Sequence, residues 1–184
     1  RSKLSNRLNV NEEKLLFGNG SVEIIQMISR AFLNNGDNIV TQLPSFSSYF
    51  SEAKIQDAEI RTIKYNDKYS FNLDEMLKLI DAKTKIVYIT NPNNPLGTIV
   101  TKEELYNFVS KVPSNILVVI DEAYFEFVRD EKYASGIELM DEFKNVCILR
   151  TFSKAYALAA LRIGYIVASE EIITNLEKVR VPFN

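Results

Sequence analysis

Ile116-Leu117-Val118-Val119-Ile120 places five apolar, mostly β-branched residues in succession, with no polar position to offer to solvent. A strand with one wet face alternates apolar and polar side chains, so an unbroken run of this kind predicts a strand covered on both faces. Other β-branched runs recur at residues 38–42, 59–64, 86–90, 146–150 and 164–168, separated by amphipathic stretches. This alternation predicts an α/β fold, with a mostly parallel central sheet and helices on both faces.

Residues 22–33 place Ile24, Ile25, Ile28 and Phe32 on one helical stripe, with Ser21 as the expected N-cap. Thr101-Lys102-Glu103-Glu104 has the capping-box pattern ahead of Leu105, Phe108 and Val109, and Asn72-Leu73-Asp74-Glu75 opens a similar helix expected to run through Ile80. No repeat or low-complexity linker interrupts the pattern. With 46% apolar content, 184 residues are enough to bury one sizeable core, so one domain is expected. A short helical pattern over residues 2–8 begins at once, and another over 170–181 stops at Pro182-Phe183-Asn184, so the chain reads as part of something longer.

Histidine is absent and Cys147 is the single cysteine. A Ser-His-Asp triad, a Cys-His pair, a disulfide framework and a zinc site of the His/Cys type are therefore excluded within this sequence, and no metal is expected. Cys147 lies in the apolar run of residues 146–149 and is expected to pack as a small hydrophobe. The formal charge of -2 carries no basic block, so neither nucleic acid nor an anionic membrane is an expected partner. No signal-like or membrane-spanning apolar run is present, and a cytoplasmic location is expected.

Ligands of open α/β sheets sit beyond the carboxyl ends of the strands. Three predicted strands are followed by chemistry-bearing residues: Asn91-Pro92-Asn93-Asn94-Pro95-Leu96-Gly97, then Asp121-Glu122-Ala123-Tyr124, then Thr151-Phe152-Ser153-Lys154. Taken singly, each has an ordinary explanation, since Asn-Pro pairs make turns, strand-end acids serve as caps and lysines are commonly solvated. Together they would bring amide, carboxylate, phenol, hydroxyls and an amine to one rim. Gly18-Asn19-Gly20-Ser21-Val22-Glu23 precedes the first helix and offers backbone N–H groups to an anion. With Glu23 in place of the third glycine it fails as a dinucleotide fingerprint, and a phosphate monoester fits better.

These segments, with Ser153-Lys154 through Arg162-Ile163-Gly164-Tyr165, resemble the pyridoxal-phosphate-dependent aminotransferases of fold type I, and within them most of all the histidinol-phosphate aminotransferases. The resemblance runs from about Leu4 to the end and implies that residues 1–184 are the cofactor-binding large domain. The same motifs occur in phosphothreonine-type decarboxylases and in aminotransferase-like ligand-sensing domains of regulators, which stay open as alternatives.

The resemblance implies a role for each matching residue. Lys154 would form the Schiff base with pyridoxal 5'-phosphate and shuttle a proton, a task suited to an amine held in a dry site with a lowered pKa. Asp121 would face the pyridine nitrogen, Asn94 and Tyr124 would bond the ring oxygen, and Phe46 would stack on the ring. Gly20, Ser21 and Val22 through their backbone, with Thr151, Ser153 and Arg162, would hold the phosphate. Lys154, Asp121 and Tyr124 are thus the expected catalytic set. Val22, Phe46, Leu96 and Ala160 depart from the family pattern; the first two put side-chain contacts to the cofactor in question, and the last two read as packing changes. The implied partners are an amino donor, such as an amino acid or histidinol phosphate, and a 2-oxo acid acceptor. The implied assembly is a homodimer in which an N-terminal arm and a C-terminal small domain, both outside residues 1–184, complete the site. The fragment alone is then expected to be inactive.

Overall fold

The computed structural model of the chain describes residues 1–67 and 69–182. Among them, seven strands form one sheet: β1 (Leu15–Asn19), β2 (Asn38–Leu43), β3 (Glu59–Lys64), β4 (Thr84–Thr90), β5 (Leu117–Asp121), β6 (Val146–Thr151) and β7 (Ile163–Val167). Their order is β1-β7-β6-β5-β4-β2-β3. Strands β3, β2, β4, β5 and β6 run parallel, while β7 is antiparallel to both of its neighbours, β6 and β1. The helices are α1 (Ser2–Leu8), α2 (Gly20–Phe32), α3 (Ser47–Ile55), α4 (Leu73–Lys78), α5 (Lys102–Val109) and α6 (Glu170–Val179).

All the strands expected from β-branched runs are present, displaced at their ends by at most two residues. The capping box of α5 forms as expected: Thr101 Oγ1 accepts from the Glu104 N–H, and the Glu104 carboxylate accepts from the Thr101 N–H. The expected N-cap of α2 is corrected. The helix starts at Gly20 with Asn19 as N-cap, and Ser21 lies inside the first turn. The Glu23 carboxylate takes the Asn19 N–H at 2.5 Å, so a side chain from within the helix reaches back over its start. Helix α4 ends at Lys78 rather than Ile80, and α6 ends at Val179. Of the expected terminal stop, Phe183 and Asn184 lie outside the described residues. Strand β1 and helix α3 were not expected.

Period-two alternation along each strand divides the core into two layers. Leu117 and Val119 of β5, Cys147 and Leu149 of β6, and Ile86 and Tyr88 of β4 join one layer, capped by α2, α3 and α6. Val118, Ile120, Val146, Ile148, Val87 and Ile89 join the other, capped by α4 and α5 with Leu4 and Leu8 of α1 packed against it. Full burial of each such aliphatic side chain contributes roughly 1.5–3 kcal/mol before chain entropy is subtracted. Cys147 is free and buried, as expected, and burial pushes its thiol pKa up.

Strand direction then collects one rim. Parallel β4, β5 and β6 end together, antiparallel β7 begins there, and β1 ends there and feeds α2. Among the described residues, no helix is long and apolar enough to cross a membrane, and no group of three or more His, Cys, Asp or Glu side chains gathers to hold a metal ion.

Candidate active site

The alternation that builds the core also selects the side chains of the rim. Counting in twos from Leu117 and Val119 puts Asp121 on the face of α2 and α3; counting from Cys147 and Leu149 puts Thr151 there, and from Ile86 and Tyr88 it puts Thr90 there. Thr90 and Asp121 are direct neighbours in the β4–β5 register. The loops and helix starts at this edge complete one cleft lined by Ser21, Val22, Phe46, Thr90, Asn94, Asp121, Ala123, Tyr124, Thr151, Ser153, Lys154 and Arg162. Every candidate residue of the sequence reading lines it except Gly20, which lies buried beneath the Arg162 guanidinium. A wider cleft of about 700 Å³ adjoins it and shares Asn94 and Tyr124.

Asp121 is 2% exposed. Its Oδ2 accepts from the Tyr49 hydroxyl at 2.5 Å and its Oδ1 from the Ala123 N–H at 3.1 Å. Burial pushes its carboxyl up to about 6, against the opposing pull of those two hydrogen bonds and the Lys154 charge. Among the described residues, no cation is ion-paired to it. Lys154 follows β6 and stands with Nζ 5.3 Å from the centre of the Tyr124 ring. The dry setting expected for this amine is not found. Lys154 is exposed among the described residues.

At the other end of the cleft the backbone forms a cradle. Gly20 has φ +77°, donates its N–H to the Arg162 carbonyl at 2.8 Å, and leaves room for the guanidinium that a Cβ would strike. Gly164, opposite Gly18 in the β1–β7 register, similarly leaves room for the backbone of Gly20 and Ser21. The start of α2, the Arg162 guanidinium and the Thr151 and Ser153 hydroxyls, 2.9 Å apart, thus face one space. A helix N-terminus carries partial positive charge, so this arrangement can hold a phosphate-like anion. Phe46 contributes an apolar ring, set edge-on to Tyr49 at 5.7 Å.

Glu122, one residue past Asp121, is equally buried but turns to the opposite face of the sheet. Its Oε2 accepts from Arg150 Nε at 2.9 Å, Arg150 Nη2 at 2.7 Å and Ser135 Oγ at 3.0 Å, and its Oε1 from the Gly136 N–H at 2.6 Å. Phe125 lies 3.9 Å beneath the Arg150 guanidinium. This knot anchors the loop that carries Tyr124.

Of the four departures, Val22 and Phe46 line the cleft, whereas Leu96 and Ala160 do not. Leu96 is half-buried, but Ala160 is exposed in a 3-10 turn, so reading it as a packing change is corrected for the described residues. Sequence reasoning passed over Thr90 and Tyr49. Thr90 was visible as the last residue of a predicted strand, and Tyr49 as the aromatic one helical turn beyond Phe46.

The sheet order and the rim define an α/β protein of the fold type I class. A histidinol-phosphate aminotransferase from Sinorhizobium meliloti in complex with pyridoxal-5'-phosphate superposes with a TM-score of 0.90 at 28% identity, over 97% of this chain and 48% of that one. Another, from Clostridium acetobutylicum, gives 0.88 at 26% identity, over 100% of this chain and 54% of that one. The sequence profile of the family "Aminotransferase class I and II" matches residues 2–184, and the chain belongs to that family. A histidinol-phosphate aminotransferase of Bacillus subtilis subsp. natto is 51% identical over all 184 residues, which cover 51% of its length. The chain spans about half the length of the curated relatives it matches.

Proposed function

We propose that the full-length protein is a pyridoxal-5'-phosphate-dependent aminotransferase that moves an amino group between histidinol phosphate or an amino acid and a 2-oxo acid, with residues 1–184 as its cofactor-binding large domain. The observation that carries the reading is the single cleft holding Lys154, Asp121 and Tyr124 at one end and an anion cradle at the other. The 51% identity to curated histidinol-phosphate aminotransferases favours amino transfer over the decarboxylase and ligand-sensing alternatives.

The residues present fit the cofactor. A buried carboxylate with no ion-paired cation among the described residues suits a ring nitrogen that carries a proton, and the cradle suits a phosphate. Bound there, pyridoxal phosphate supplies an electron sink for the bond-breaking at the substrate's amino-bearing carbon. The chain's own groups do the rest. Lys154 Nζ would anchor the cofactor and would take and return the proton of that carbon. Asp121 would keep the ring nitrogen protonated, and Asn94 and Tyr124 would bond the ring oxygen. Phe46 would offer the ring an apolar face. The α2 backbone at Gly20, Ser21 and Val22, with Thr151, Ser153 and Arg162, would hold the phosphate, each charge-assisted hydrogen bond contributing about 1.5–3 kcal/mol. The exposed Lys154 accords with a site closed by segments outside residues 1–184, in a cytoplasmic homodimer.

Borohydride trapping of added pyridoxal phosphate on the full-length protein tests the assignment. Label is expected on Lys154 and lost in Lys154→Ala; equal labelling of both proteins would sink it. Turnover of neither histidinol phosphate nor aromatic amino acids by the full-length protein would overturn the proposed donor class.

A further inference from the structure

Tyr49 is fully buried and carries more hydrogen bonding than a core aromatic needs. Its ring stacks on Tyr88 at 4.1 Å and 9°, which is sufficient to explain an aromatic there, yet a phenylalanine would stack as well. The hydroxyl requires a separate explanation, because a buried donor is costly unless paired. Its partners set a direction. A carboxylate oxygen only accepts, so Tyr49 donates to Asp121 Oδ2 at 2.5 Å. Tyr49 must then accept from Thr90 Oγ1 at 3.1 Å, which in turn accepts from Ser45 Oγ at 2.9 Å. Three hydroxyls, from the loop before α3, from the end of β4 and from α3 itself, thus form a one-way chain ending on the carboxylate. Burial, and then the Asp121 charge, raise the Tyr49 pKa well above its ordinary value, so the phenol keeps its proton and stays a donor.

We infer that Tyr49 is a positioning residue for the reaction proposed above: its hydroxyl, oriented by Thr90 and Ser45, holds the Asp121 carboxylate in one rotamer and in its charged form, with lone pairs left over for the cleft. The inference rests on that proposed reaction only for its link to the cofactor. The hold on Asp121 is a property of this chain. Two hydrogen bonds, from Tyr49 and from the Ala123 N–H, fix one contact on each carboxylate oxygen, whereas a carboxylate has room for about four. The other titratable groups that act on Asp121 are few: Glu122 beside it and Lys154 across the cleft, with Tyr88 beneath Tyr49. Among the described residues, neither Lys154 nor any other cation is bonded to Asp121, so the Tyr49 hydroxyl is the strongest stabiliser of its charge.

The test is Tyr49→Phe in the full-length protein, which keeps the stacked ring and its volume. In the cofactor-free form, carboxyl-13C NMR follows the Asp121 titration, assigned by its absence in Asp121→Asn. Loss of a charge-assisted donor is expected to raise the midpoint by about one to two pH units. The pyridoxal phosphate dissociation constant near neutral pH is expected to rise roughly tenfold by the same loss, with the gap from the parent narrowing as pH rises past the shifted midpoint. An unchanged Asp121 midpoint in Tyr49→Phe overturns the inference, including the case in which the melting temperature falls and only a packing role remains. A parent that takes up no pyridoxal phosphate overturns the proposed function instead, and the cofactor-free titration then decides the role of Tyr49 by itself.

Discussion

Asp121 and Glu122 are consecutive carboxylates, both at most 2% exposed, yet the sheet turns them into opposite devices. Glu122 meets a guanidinium, a hydroxyl and a backbone N–H and is fully committed to structure. Asp121 meets one phenol and one N–H and, among the described residues, has no ion-paired cation. Burial raises the carboxyl pKa of both, but on the Glu122 side the Arg150 charge opposes it directly. One face of the sheet therefore stabilises the loop, and the other tolerates an unmatched charge where a cationic ligand group can be received.

The sharpest way to break this comparison is to remove the matched cation. Arg150→Ala leaves Glu122 charged and buried without its partner, a change that typically costs 3–5 kcal/mol, and a urea midpoint should fall accordingly. Removing the unmatched acid should act in the opposite direction. Folding raises Asp121 from its ordinary 3.8 to about 6, so the folded state binds that proton more tightly than the unfolded chain. The stability this contributes is complete below 3.8 and is lost as pH rises through about 6. By neutral pH the shift corresponds to a penalty of about 3 kcal/mol, at 1.36 kcal/mol per unit. Asp121→Asn removes it, so the cofactor-free protein should gain up to about that much stability at pH 8 and nothing at pH 3, while losing cofactor affinity. Denaturation midpoints at the two pH values check the sign; equal gains at both would show that burial of the charge is not the cause.

How much of this was visible beforehand divides along the same line. The rim was legible, because Asp121, Thr151 and Asn91 each follow a strong β-branched run and parallel strands must end together. The partners were not. Tyr49 reaches Asp121 across 72 residues from α3, a helix with a mixed surface that no apolar stripe announces. Arg150 reads as the polar end of a strand, and only the register that sets it against Glu122, 28 residues earlier, makes it a buried cation. Gly18-Asn19-Gly20 is legible as the approach to a helix, but not as the end of a strand that Leu15, Leu16 and Phe17 begin against β7. Cys147 is buried as expected because its placement follows from a local apolar run alone, whereas the exposed Lys154 departs from the dry setting that the resemblance implied.

The smallest expected effect distinguishes a network from a pair. Ser135 Oγ donates to Glu122 Oε2 at 3.0 Å and accepts from Arg150 Nη2 at 2.9 Å and from the Ile137 N–H at 3.2 Å, so it closes a three-membered ring with the ion pair. Ser135→Ala removes one donor from a carboxylate that keeps three others, and one acceptor from a guanidinium that keeps its carboxylate. A hydrogen bond to a charged group contributes about 1.5–3 kcal/mol, and the loss falls at the low end where the carboxylate keeps its other donors. If the ion pair is self-sufficient, Ser135→Ala and Arg150→Ala should combine additively. If the ring is the unit, the double variant should lose less than the sum, because with Arg150 gone the hydroxyl has already lost half its purpose. A double-mutant cycle on the denaturation midpoints reads the difference. Additivity within about 0.5 kcal/mol would reduce the Glu122 side to a simple salt bridge.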